Sequence, residues 1–186
     1  MTSDNSIETT PVNSSQPKRD EVSTSNDGAA LVALPHGVTL HDCKVLSDDR
    51  GTLCEMFNPE WNWSEKPLTY SYYFTIRPGM IKGWGVHFKH EDRYFILAGD
   101  VELVLWDDRP DSPTKDEVFE IYLSDQDRRT VNIPEGVYHA SRNIGTNDAV
   151  IVNFPTQLYD RSNPEKYRLP LDSDRVPYSF RSRPGW

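Results

Sequence analysis

From Leu31 onward the chain reads as short apolar or alternating runs cut by turn residues. The runs are TLHDCKVL, GTLCEMF, LTYSYYFTI, RYFILAG, DVELVLW, VFEIYL, RTVNI and AVIVNF. Between them lie DDRG, RPGM, AGD, DDRPDSPT, PEG and GTND. Many short strands at this spacing predict an all-β sandwich or barrel rather than βαβ units. No segment carries a long, capped 3.6-residue period, so the only helix expected is a short turn near residues 58–65. The final stretch, PEKYRLPLDSDRVPYSFRSRPGW, is rich in Pro and Arg with spaced aromatics. It is expected to lie over the barrel as an irregular arm. Residues 1–30 differ in texture, with thirteen Ser, Thr or Asn, two Pro and no aromatics. Such a segment buries too little to offset the entropy of ordering, which predicts a disordered tail. The expected division is therefore a tail over 1–30 and one folded domain over 31–186.

Composition narrows the function classes. The 186 residues suit one domain, and 36% hydrophobic with 11% aromatic content suffices for one core. Twenty basic against twenty-nine acidic residues leave a net charge of −9. That balance argues against nucleic acid and against anionic membranes as partners. A phosphate-bearing ligand would need the basic groups gathered locally in a cleft. Two cysteines, Cys43 and Cys54, are too few for a disulfide framework. The N-terminus lacks a basic flank followed by an apolar run, and no stretch approaches the roughly eighteen apolar residues of a membrane span. These features predict a cytoplasmic protein with reduced thiols.

The candidate chemistry rests on histidines. His87 lies in KGWGVHFKHEDRYFILAGD and His139 in IPEGVYHASRN, each after a glycine turn at a strand edge. In a small barrel alternate residues of each strand point inward, so two strands can bring two imidazoles to one mouth. The spacing His-x-x-His puts His90 on the opposite side of an extended strand from His87, and His90 is expected at the surface. His36 and His41 belong to no constellation.

Pro134-Glu135-Gly136-Val137-Tyr138-His139, with Asn143 four residues on, fits the second cupin motif. Gly83 through His87 to Gly99 resembles the first, with Asp92 where that motif has glutamate. More narrowly, DDRGTLCEMF, GWGVHFKHEDRYFILAGDVELVLWDDRPDSPT, VNIPEGVYH and YDRSNPEKYRLPLDSD occur in order. Together they resemble the dTDP-4-dehydrorhamnose 3,5-epimerase family, in its divergent branch, over roughly residues 38–180.

The resemblance implies a cupin double-stranded β-helix (jelly roll), a homodimer, no metal and no cofactor. It implies a nucleotide-diphosphate sugar of the dTDP-4-keto-6-deoxyhexose class as ligand. By position, His87 matches the general base. Asp172 matches the aspartate that orients it, with Asp174 as competitor, and Arg93 stands near the ketone oxygen. His139 lines the pocket. Arg50 and Glu55 contact the nucleotide-sugar, in the family's pattern from the neighbouring subunit. The chemistry suits these types. A ketone acidifies the flanking C–H groups, imidazole titrates near neutrality, and the enolate needs donors or positive charge at its oxygen.

Two departures stand out. Asn153 occupies the strand position of the family's tyrosine acid, leaving water, Tyr138 or Tyr159 as substitutes. Trp84 replaces the arginine before the catalytic histidine, leaving Lys82 to supply that charge. Two other readings follow. One is a metal-dependent cupin enzyme, which needs a bulge to bring His90 beside His87, with His139 and Asp92 completing the set. The other is a non-catalytic sugar-binding cupin.

Overall fold

The computed structural model describes residues 19, 22–28 and 31–180, so most of the expected tail and the last six residues lie outside the described residues. The chain divides into two compact units, residues 1–32 and 33–186. In the first, the Gly28 N–H donates to Ser25 O at 3.0 Å and the Leu31 N–H to Ser23 O at 2.9 Å, forming a turn.

Among its described residues the second unit carries twelve strands: β1 (Thr39–Asp42), β2 (Val45–Asp48), β3 (Gly51–Cys54), β4 (Tyr72–Ile76), β5 (Ile81–Val86), β6 (Asp92–Ala98), β7 (Asp100–Asp107), β8 (Val118–Ser124), β9 (Arg129–Ile133), β10 (Val137–Asn143), β11 (Ala149–Asn153) and β12 (Tyr167–Arg168). One 3-10 turn, Pro59–Trp61, falls where the short helical turn was expected and is capped by the Asn58 side chain. Two five-stranded antiparallel sheets form, in orders β1-β9-β6-β11-β4 and β12-β5-β10-β7-β8, with β2–β3 as a separate hairpin. This is the jelly roll.

Period-two alternation assigns the faces. Tyr94 and Ile96 of β6, Ile151 of β11 and Ile76 of β4 share the inner side of the first sheet. Val101, Leu103 and Leu105 of β7, with Ile121 and Leu123 of β8, share the inner side of the second. All are buried. Alternation is hidden in β7, where seven consecutive residues from Val101 are buried. The reason is a roof on its outer side. Trp84, Val86, Val104, Trp106, Tyr138 and Ala140 pack beneath Leu169, Val176, Tyr178 and Phe180 of the C-terminal arm. The outer side of the first sheet is roofed likewise, with Phe95, Val152 and Phe154 under Met56, Phe57 and Trp61.

β5 meets β10 unusually closely. Their pairing shifts register between His139 and Ser141. A Cβ on Gly83 would sit 2.2 Å from Ala140 Cβ and 2.5 Å from its Cα. No other residue fits there, and this close approach brings the β5 backbone to the inner end of a cavity between the sheets.

Candidate active site

The cavity holds about 420 Å³. Tyr72, Phe74 and Tyr94 line it from the first sheet. Lys82, Gly83, Gly85, His139 and Ser141 line it from the second, joined by Lys166 and Arg168 of the arm. Gly85 leaves the wall beside His139 without a side chain and so opens the space. Lys82 Nζ lies 5.3 Å from the centre of the Phe74 ring.

At one end a buried carboxylate gathers the polar groups. Asp92 Oδ2 is 3.4 Å from His87 Nε2 and 3.5 Å from His139 Nε2. Tyr94 Oη donates to the same oxygen at 3.1 Å. Asn153 Nδ2 donates to Asp92 Oδ1 at 2.8 Å and to Tyr72 Oη at 2.9 Å. The Asn153 amide cannot be turned over, because its Oδ1 accepts the Arg93 N–H at 3.0 Å. Both imidazoles are anchored through Nδ1, His87 to Glu165 O at 2.8 Å and His139 to Val137 O at 3.2 Å. That assigns the Nδ1–H tautomer to neutral His139 and leaves its Nε2 bare.

The electrostatics separate the two rings. Burial pulls the His139 pKa down to about 4 against the opposing pull of Asp92. Burial acts on His87 too, but hydrogen bonding and charge from Asp92 outweigh it, and its pKa is raised. Burial disfavours the Asp92 anion, yet His87, His139 and the Asn153 amide hold its pKa well below the usual carboxylate range. The site thus favours the protonated form of His87 more than a free imidazole would, while His139, with its pKa near 4, stays neutral. Tyr72 is pushed up to about 12 by burial and then by the charge of Asp92, so its phenol is protonated at neutral pH. Burial and neighbouring Arg168 lower the Lys166 pKa.

Of the residues expected from the sequence, Lys82, His87, His139 and Asn153 come together. His139 lines the cavity, and His87 shares Asp92 Oδ2 with it without lining the cavity itself. Asp172 does not reach the site. It is exposed on the arm, as is Asp174; the carboxylates beside His87 are Asp92 and Glu165. Arg93 faces away from the cavity because its neighbours Asp92 and Tyr94 face in. Its Nη2 donates to Lys66 O at 2.8 Å, and the guanidinium lies over Phe57. Arg50 is exposed on the β2–β3 hairpin, paired with Asp48, and Glu55 is exposed beside Asn58. Trp84 is fully buried under the arm.

The expectation that His90 is exposed is corrected. β5 ends at Val86, so strand alternation does not extend to residue 90. The following turn brings the two ring centres to 4.0 Å, their planes inclined by 35°, with His90 buried. Glu165, Lys166 and Arg168 escaped the sequence reading, and Tyr72 stood there only as one of several aromatics expected in the core or an interface. Alternation along YSYYFTI was the available signal for Tyr72, since it shares a face with Phe74 and Ile76. The arm residues had no periodic signal.

Residues 46–167 match the family model described as the polysaccharide biosynthesis C-terminal domain. The chain belongs to that family. Among similar proteins, it is 32% identical over 138 residues to the probable low-salt glycan biosynthesis epimerase Agl13 of Haloferax volcanii, covering 74% of this chain and 88% of that one. It is 30% identical over 145 residues to the dTDP-4-dehydrorhamnose 3,5-epimerase of Methanothermobacter thermautotrophicus, covering 74% and 72%. The structure of a dTDP sugar isomerase from Desulfovibrio desulfuricans G20 superposes with a TM-score of 0.73 at 21% identity, covering 78% of this chain and 91% of that one. The jelly roll of this family member is thus the cupin fold, and its sequence relatives include sugar epimerases.

Proposed function

We propose that this protein is a nucleotide-sugar epimerase that inverts a ring carbon next to a 4-keto group. The observation that carries the reading is a neutral imidazole, His139, with a bare Nε2 beside a buried carboxylate, in a cavity that has phenols on its opposite wall and cations around it. In this reading His139 Nε2 takes the proton from the carbon flanking the ketone. The C–H electron pair becomes the C=C bond of an enolate, and the ketone oxygen takes the negative charge. Asp92, 3.5 Å away, stabilises the imidazolium as it forms. Lys166 lies close enough to His139 to lower its basicity. It takes the enolate-stabilising part that the sequence assigned to Arg93. Lys82 and Arg168 supply the charge for a diphosphate. His87 keeps Asp92 ionised instead of acting as the base.

Arg50 and Glu55 fit this scheme from a partner subunit of a homodimer, since in their own subunit neither lines the cavity. Exposed Leu46, Leu53 and Tyr73 support such pairing. The free thiols of Cys43 and Cys54 suit the cytoplasm. Among the described residues no helix is long and apolar enough to cross a membrane.

The test is NMR of dTDP-4-keto-6-deoxyglucose and its UDP counterpart incubated with the protein. A new ring epimer, formed about 10²- to 10⁴-fold more slowly by His139→Asn, is expected. Unchanged sugar with folded wild-type protein would overturn the reading.

A metal-dependent enzyme is the second reading, and one feature favours it. His87, His90 and Asp92 each offer a ligand atom, all within 4.8 Å of one another. His90 Nδ1 and Glu165 Oε2, 2.8 Å apart, are buried without hydrogen-bond geometry. The donor set fits a divalent cation of the zinc or iron type, which would polarise the ketone oxygen. Elemental analysis of the purified protein separates the readings, with one equivalent of metal supporting the second.

A further inference from the structure

We propose that Tyr72 is the catalytic acid, delivering a proton to the face of the sugar opposite His139. The inference rests on the epimerase reading and deepens it. The two groups stand on opposing walls: Tyr72 belongs to β4 of one sheet, His139 to β10 of the other, and both line the cavity between them. Inversion requires this layout, because the proton must leave one face and return on the other.

The hydrogen bonds pick Tyr72 from the two tyrosines that line the cavity. Tyr94 Oη donates its hydrogen to Asp92 Oδ2, so that proton is committed. Tyr72 Oη is instead an acceptor. The Arg93 N–H pins the Asn153 oxygen, which forces the amide NH₂ toward Tyr72 and Asp92. Its two hydrogens serve those two oxygens. The hydroxyl hydrogen of Tyr72 is left over, and among the described residues it has no acceptor. The contact also prepares the group for proton loss, since an amide N–H stabilises the phenolate that forms. Asn153 and Tyr72 are direct cross-strand partners. The phenol missing from position 153 is thus supplied by the neighbouring strand, and Asn153 becomes its positioning residue. The substitutes raised from the sequence do not line the cavity. Tyr138 packs against Trp106 on the outer side of its sheet, and Tyr159 is exposed.

The proton balance closes. His139 Nε2 gains the proton lost by the substrate carbon, and that carbon gains the Tyr72 hydroxyl proton. The imidazolium and phenolate then return to their starting states by exchange with water, reached at the 40% exposed Tyr72.

The experiment follows two readouts in D₂O with the better accepted of dTDP- and UDP-4-keto-6-deoxyglucose: deuterium entering at the carbons flanking the ketone, and formation of the inverted sugar. For Tyr72→Phe we expect deuterium entry within about 3-fold of wild type and inversion slowed at least about 100-fold. His139→Asn should lose both. Inversion by Tyr72→Phe at the wild-type rate would show that water is the acid. Equal loss of both readouts would show a structural or binding role. Either result overturns the assignment of Tyr72 while leaving the epimerase reading intact. Wild-type protein that neither exchanges nor inverts would overturn both. Unchanged dTDP affinity of Tyr72→Phe, measured by calorimetry, confirms that the variant cavity is intact.

Discussion

Replacing Gly85 by alanine tests how tightly the site is held. Gly85 faces His139 across the β5–β10 pairing. A Cβ there would lie 3.3 Å from His139 Nε2 and 3.8 Å from Cδ2 and Cε1. Ordinary contacts begin near 3.4 Å, so the imidazole must retreat by a few tenths of an ångström. Misplacing a reacting group by about 1 Å costs about 10²-fold in rate. A retreat of about a third of that costs about 5-fold. Stability should hardly change, because the clash is with the end of a side chain. Gly83→Ala is the contrast. Its Cβ would lie 2.2 Å from Ala140 Cβ, an overlap of more than 1 Å with backbone-bound atoms. β5 and β10 must then part, at a cost of about 3 kcal/mol, or a melting temperature about 6–12 °C lower. The assays are thermal unfolding by circular dichroism and the rate of deuterium entry into the keto sugar. Gly85→Ala with wild-type rate would refute the claim that the His139 position is critical. Gly83→Ala with wild-type stability would refute the close approach of the two strands.

Acid stability should depend on His139. Its pKa is about 4 folded, against about 6.5 unfolded. The unfolded chain therefore binds the proton first, and stability falls as the pH drops from about 6.5 to about 4, by about 3 kcal/mol. His87, with its raised pKa, contributes with the opposite sign, so the readout is the difference between wild type and His139→Asn in urea titrations at pH 7 and pH 4.5. A difference that does not change with pH would contradict the burial argument. Trp84→Ala removes a fully buried ring that packs on Tyr178 and Phe180, and should cost about 3–5 kcal/mol. A cost below about 1 kcal/mol by denaturant unfolding would mean that the arm is not docked. Lys82→Ala and Arg168→Ala should each weaken dTDP binding by about 10-fold in calorimetry, and less at high salt. Binding unaffected by either change would move the diphosphate elsewhere.

Much of this was legible because period-two patterning survives wherever one sheet face is solvated or polar. The strand edges carrying His87 and His139 were readable from their glycine turns. The same rule, pressed further, would have turned Arg93 outward, because the cavity-facing position of its strand is Asp92. It failed at His90, since alternation holds only within a strand and β5 stops at Val86. The arm resisted reading for a different reason. Around LPLDSD it is irregular and interrupted by Pro170, so nothing in its sequence distinguishes exposed Asp172 from Lys166 and Arg168, which reach the cavity. Tyr72 was hidden in a tyrosine-rich run, in which Tyr70 precedes β4 and Tyr73 takes the opposite side of that strand.

The most direct measurement of the central claim is the mass of a 4-keto-6-deoxy nucleotide sugar recovered from D₂O after exposure to the protein. If neutral His139 beside Asp92 removes a proton next to the ketone, wild type adds deuterium at a flanking carbon. His139→Asn, folded and binding dTDP normally, should then add about 100-fold less in the same time. Sugar recovered from wild type at its original mass, or labelled equally by the variant, would contradict the account.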